Sequence, residues 1–167
     1  MNGFTCATCG EYHPELPMVL GPASPFAWEQ IPAADREARG EISSDQCVID
    51  EKHFFLRGRL EIPVKGSPQP FTWLVWVSVS REDFVRAYNL WHEAGREKEP
   101  PYEAELQSAL PYAQKTLDLS VRLHTRPVGE RPFVEVVCQP HPLYEEQQHA
   151  VSIERVQKIV EGALHAT

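Results

Sequence analysis

The chain has 167 residues, 42% of them hydrophobic and 24% charged, which suits one ordinary globular domain and excludes a disordered or fibrous chain. Sixteen Lys plus Arg against 24 Asp plus Glu give a formal net charge of -8, a balance that repels phosphate backbones and anionic membrane surfaces. No apolar run reaches the roughly 18 residues of a membrane helix and the opening Met1-Asn2-Gly3-Phe4 has no export signature, so a cytoplasmic protein without nucleic-acid or membrane partners is expected.

The first local signal is Cys6-Ala7-Thr8-Cys9-Gly10-Glu11-Tyr12-His13. Two thiolates two residues apart can hold one tetrahedral metal from a tight turn, and a glycine after the second tolerates the left-handed backbone that aims amide donors at sulfur. His13 adds a nitrogen donor. Structural zinc is the cofactor this pattern points to, and a closed site needs a fourth ligand from far along the chain. Cys47 is the first candidate, with His53, Cys138 and His141 behind it. The competing reading is a knuckle whose thiols are only buried. A redox dithiol fits less well, because thioredoxin-like pairs follow a strand and open a helix.

Proline punctuates the rest: Phe71 to Glu99 and Leu143 to Thr167 contain none and should hold regular structure. The stretch from Pro14 to Gly40, with Trp28, reads as a short helix or two between loops, or as a cover over a sheet. From Phe54 to Val64 apolar and polar residues alternate, the period of a strand with one wet face. A turn at Lys65 to Pro70 and a second strand at Phe71 to Val79 complete a hairpin. Ser80 caps a helix expected from Arg81 to Ala94, and a short helical turn is expected at Ala104 to Leu110. Leu117 to Leu123 alternates again and pairs with Phe133 to Val137 in a second hairpin. Ser152 caps a last helix whose Ile153, Val156, Val160 and Leu164 face the core. The expected fold is α+β: an antiparallel sheet built from two hairpins with packed helices and an N-terminal zinc-knuckle-like segment. One domain over 1–167 follows, residues 1–40 forming the Pro-rich knuckle and cover and 41–167 the core.

Two further clusters bear chemistry. In the stiff turn from His124 to Pro132, Arg126 and Arg131 can clamp a carboxylate or phosphate, with His124 beside them and Arg57 and Arg59 on a neighbouring strand. Alternatively these arginines pair with Glu61, Glu130 or Glu135 on a solvated face. His141 to Glu146, with His149, is a possible metal or acid–base group, although such residues at a helix start more often cap it. Trp73, Trp76 and Trp91 read as core. Phosphate-binding glycine loops, nucleophile elbows and His-Glu-x-x-His helices are missing.

Several segments together resemble the bacterial family of unknown function DUF2199. They are Cys6-x-x-Cys9-Gly10-x-x-His13, Leu16-Pro17-Met18, Ser44 to Asp50, Phe55 to Pro63, Trp76-Val77-Ser78, Pro100-Pro101-Tyr102, His124 to Gly129 and His141-Pro142-Leu143. The resemblance implies a small bacterial protein of unassigned activity and carries over no catalytic residues. It sets Cys47 in a family motif beside the knuckle, and Ala150 stands where the family usually has glycine. The function expected is a non-enzymatic module binding a protein or small molecule, with structural zinc. The rivals are an enzyme for a small anionic substrate, using Arg126 and Arg131 as clamp and His124 or His141 as acid–base group, and an acidic protein that neutralises a basic partner as immunity proteins do.

Overall fold

The computed structural model describes residues 3–165. Its strands and helices run in chain order as β1 (Phe4–Thr5), β2 (Tyr12–His13), β3 (Val19–Leu20), α1 (Phe26–Glu29), α2 (Arg36–Arg39), β4 (Gly40–Ile42), β5 (Gln46–Ile49), β6 (His53–Ile62) and β7 (Phe71–Val79). They continue as α3 (Arg81–Asn89), β8 (Tyr102–Leu106), β9 (Ser120–His124), β10 (Phe133–Val136), α4 (Pro142–His149) and α5 (Ile153–Leu164).

The expected flat antiparallel sheet of two hairpins is not the fold. Strands β6, β7, β8, β9 and β10 pair in that order and β10 returns to β6, closing a five-strand barrel. The two strand pairs read from the sequence are present as arcs of this ring, β6 against β7 over nine residue pairs and β9 against β10 over four. What turns the arcs into a ring is β8, in the segment expected to be a helical turn. Tyr102, Ala104 and Leu106 are buried and Glu103 and Glu105 exposed, a period of two that belongs to a half-buried strand. β8 joins β7 through Val77↔Leu106 and β9 through Tyr102↔Leu123 to Glu105↔Ser120.

The two long strands each serve more than one neighbour along their length. The first half of β6 pairs with β5, and its second half meets β10 in parallel at Phe133↔Arg59. The start of β7 takes β3 in parallel at Thr72 and Trp73, and its end takes β8. β7 is buried along most of its length, as its apolar run predicts. Leu60, Val75, Val77, Leu106, Leu123 and Val134 fill the main core, while Ile31, Cys47, Ile49, Phe55 and Trp76 form a smaller one.

The closing seam between β10 and β6 has one ladder pair, so something else must satisfy the backbone beside it. Gln147 of α4 does so. Its amide oxygen accepts from the Val136 N–H at 2.8 Å, and its amide nitrogen donates to the Val134 carbonyl at 2.9 Å and the Glu61 carbonyl at 3.2 Å. Gly58 lets the strands approach, since a Cβ there would stand 2.7 Å from Val134 Cγ2 and 3.1 Å from Leu123 Cδ1.

The helices differ from expectation in extent. α3 is capped by Ser80, whose hydroxyl accepts from the Asp83 N–H, but it stops at Asn89 and the chain turns through Gly95 at φ 87°. α4 opens the stretch expected to hold regular structure, and His141 takes the capping role open to it at a helix start: it accepts from the Leu143 N–H and donates from Nε2 to the Lys115 carbonyl at 3.0 Å. In α5 the buried residues are Val156, Ile159 and Val160, whereas Leu164 is exposed. Glu146 ties α4 to its surroundings by accepting from Tyr112 Oη at 2.6 Å and Arg155 Nε at 2.7 Å.

Gln147→Leu keeps the shape but leaves the buried Val136 N–H and Val134 carbonyl unpaired, and is expected to lower unfolding free energy by about 2–4 kcal/mol in denaturant titrations. Ala150 ends α4 at φ 68° and ψ 165°, a region that costs a non-glycine residue about 1–3 kcal/mol. Ala150→Gly is therefore expected to gain about 1 kcal/mol net of the added freedom of the unfolded chain, measured the same way.

Candidate metal centre

The antiparallel pair β1–β2, with Phe4 opposite His13 and Thr5 opposite Tyr12, frames the knuckle. Its turn is closed by two backbone hydrogen bonds, Cys6 N–H to the Glu11 carbonyl at 2.9 Å and Gly10 N–H to the Cys6 carbonyl at 2.8 Å. Gly10 takes φ 76°, the left-handed conformation expected of it from sequence. The His13 ring stacks on Phe4 with centroids 5.2 Å apart, which fixes the imidazole over the turn.

This local geometry gathers one donor atom each from Cys6, Cys9 and His13 within 4.8 Å of one another. Cys9 Sγ lies 3.7 Å from His13 Nε2. Cys6 is 1% exposed, while Cys9 is at the surface. The Cys6 thiol is drawn down to about 6, chiefly by the Cys9 backbone N–H that points at its sulfur; burial opposes this, and the Thr8 N–H and the His165 ring assist. It is therefore largely thiolate at neutral pH, the form that binds metal. Two sulfurs and an imidazole are the donor set of zinc and related borderline-soft ions.

The distant ligand expected from sequence is not in this group. Cys47 sits in the middle of β5, paired with Phe55 and Ile42, and is 1% exposed in the smaller core beside Ile31, Ile49 and Trp76. Burial pushes its thiol up to about 12, so it stays protonated and packs as a small apolar group. His53 opens β6 at the surface, Cys138 packs half-buried against the main core, and both nitrogens of His141 are used in the α4 cap. The side chain that does reach the knuckle is His165, just past α5, with Nε2 at 3.2 Å from Cys6 Sγ. Glu161, one turn earlier, accepts from the Ala7 N–H at 3.1 Å. The spacing of these two residues, four apart on one helix face, was a legible signal that the sequence reading passed over.

The second candidate cluster is spread along the barrel rim, and Arg59, His124, Arg126 and Arg131 each have a carboxylate partner. Arg126 forms a two-pronged pair with Glu61 at 2.7 and 3.0 Å, and Arg59 adds a third bond to the same carboxylate at 3.0 Å. Arg126 is the first cause of Glu61 being held below the usual carboxylate range. Arg131 pairs with Asp45 at 2.6 Å and His124 with Glu135 at 2.9 Å. Arg57 differs: it has no carboxylate within ion-pair distance among the described residues, and its Nε is buried without a partner. Its guanidinium lies over Trp76 at 5.5 Å and donates to the carbonyls of Pro22 and Ser44.

Barrel and knuckle together define a small five-strand barrel protein with a sulfur- and nitrogen-donor site on its N-terminal hairpin. The chain belongs to the family described as "Uncharacterized protein conserved in bacteria (DUF2199)", which matches residues 5–151. No curated protein and no solved structure matches it. Among the described residues no helix is long and apolar enough to cross a membrane.

Proposed function

We propose that the protein is a non-enzymatic binding module whose N-terminal knuckle holds a structural zinc ion through Cys6, Cys9 and His13. The carrying observation is the convergence of three borderline-soft donors within 4.8 Å, one of them already depressed towards thiolate by backbone N–H groups. The pairing of Arg126, Arg131 and His124 with carboxylates favours a structural over a catalytic reading of the rim. The purified full chain is expected to carry about one zinc, and Cys9→Ser to lose it together with several degrees of thermal midpoint. Protein that contains no zinc and takes none up, or a Cys9→Ser variant with unchanged metal content, overturns this reading.

A second reading concerns a small anion. Arg57 lines a cleft of about 30 Å³ with Leu56, Trp91, Tyr102, Arg126 and Asp45, whose carboxylate is taken by Arg131, leaving room for little more than a carboxylate head. An arginine without a carboxylate partner at the edge of an apolar cleft favours a small carboxylate as ligand, the partner class being a metabolite rather than a macromolecule. Millimolar acetate or a similar monocarboxylate is expected to raise the thermal midpoint of the wild type and not of Arg57→Gln. Equal shifts in both proteins exclude the site.

A further inference from the structure

We propose that His165 is the fourth ligand of the knuckle, so that one metal ion clasps the C-terminal end of α5 to the N-terminal hairpin. This deepens the zinc reading and rests on it. With metal–sulfur bonds of about 2.3 Å and metal–nitrogen bonds of about 2.0 Å, tetrahedral geometry sets sulfur and nitrogen ligands roughly 3.5 Å apart. The two sulfur–nitrogen contacts at the knuckle straddle that spacing: Cys9 Sγ to His13 Nε2 at 3.7 Å and Cys6 Sγ to His165 Nε2 at 3.2 Å. Each sulfur thus has an imidazole partner, one local and one 159 residues away.

The approach of His165 is built into the fold. α5 is seated by Val156, Ile159 and Val160, all buried, and its Glu161 carboxylate is already bonded to the Ala7 N–H inside the knuckle turn. His165 follows one turn later at the exposed helix end, 3.2 Å from Cys6 but outside the Cys6, Cys9 and His13 group that lies within 4.8 Å, so its ring has to turn inward to share the ion, which its exposed position allows. Cys6, Cys9 and His13 alone fill three positions, and structural zinc sites are almost always closed with four. His165 lies beyond the family-matched residues 5–151, so the clasp is a property of this chain rather than one the family match implies.

The alternative is that His165 only hydrogen-bonds the Cys6 sulfur. Affinity alone does not separate the two roles, because losing a partner of a ligand already weakens metal binding by about 10–100-fold. The ligand-field absorption of the cobalt(II)-substituted protein does, since it reads the atoms bound to the ion. His165→Gln keeps an N–H donor for sulfur and removes the imidazole. For both His165→Gln and His165→Ala the expected result is a cobalt spectrum altered from wild type and zinc bound more than about 100-fold more weakly in competition with a chromophoric chelator. A His165→Gln protein with the wild-type cobalt spectrum overturns the clasp and leaves the three-residue zinc site standing. Wild-type protein that binds neither cobalt nor zinc removes the site itself, a distinguishable failure.

Discussion

The seam where β10 meets β6 governs this structure. A barrel must satisfy every backbone group around its circumference, and here the last joint has a single parallel ladder pair at Phe133↔Arg59. The Arg59 N–H reaches the Pro132 carbonyl at 2.8 Å, and the β10–β6 ladder has no second residue pair. Gln147 spans the gap with its amide, acting towards Val134 and Val136 as a further piece of strand. An amide suits this role because it offers both a donor and an acceptor in one plane. The requirement reaches outward. Gln147 has to be on a helix pressed against the seam, which explains why α4 is capped by a buried histidine and anchored through Glu146. The chain then re-enters beside β6, where Val151 exchanges backbone bonds with Pro63 and Lys65, and leaves along α5 towards the N-terminal hairpin.

Charge is organised around the same seam. Glu61, near the end of β6, collects Arg59 from its own strand and Arg126 from the loop after β9. Arg131 holds Asp45 before β5, and Arg96 donates to the carbonyls of Arg126, Pro127 and Glu130. These bonds fasten the 124–132 loop over the rim. The arginines that look from sequence like a free anion clamp are thus the fastenings of a loop, and Arg57, held over Trp76, keeps a buried Nε that has no hydrogen-bond partner among the described residues.

The knuckle stands apart from this machinery. A hairpin of two-residue strands has too little buried surface to hold its own shape in water. It is kept by Phe4 and Cys6 packing into the main core, by the Glu161 contact, and in the proposed function by a metal whose binding free energy adds directly to folding. The barrel is thus closed by a side chain, whereas the hairpin depends on its contacts with the core and with α5.

Local chemistry was readable directly from residue order. The strand in Phe54 to Val64, the apolar run of Phe71 to Val79, the Ser80 and Ser152 caps and the left-handed Gly10 all follow from neighbours a few residues apart, although the strand ends at Ile62 and its Phe55, on the face expected to be wet, is buried in the smaller core. Ala150 adopts a positive φ of 68°, a conformation in which a glycine would be unstrained. Closure was not readable. Tyr102 to Leu106 alternates as a half-buried strand does, but its Glu and Ala residues favour helix and only β7 and β9 decide the matter, while Gln147 looks like any polar helix residue until the seam is in place. The same holds for the ligands: Cys6, Cys9 and His13 are neighbours in sequence, so their convergence is a local matter, whereas the choice of Cys47 as distant partner ignored that β5 buries it in another core. Only the path of the whole chain, set by burial and by backbone hydrogen bonds around a closed ring, brings residue 165 rather than residue 47 to the sulfur of Cys6.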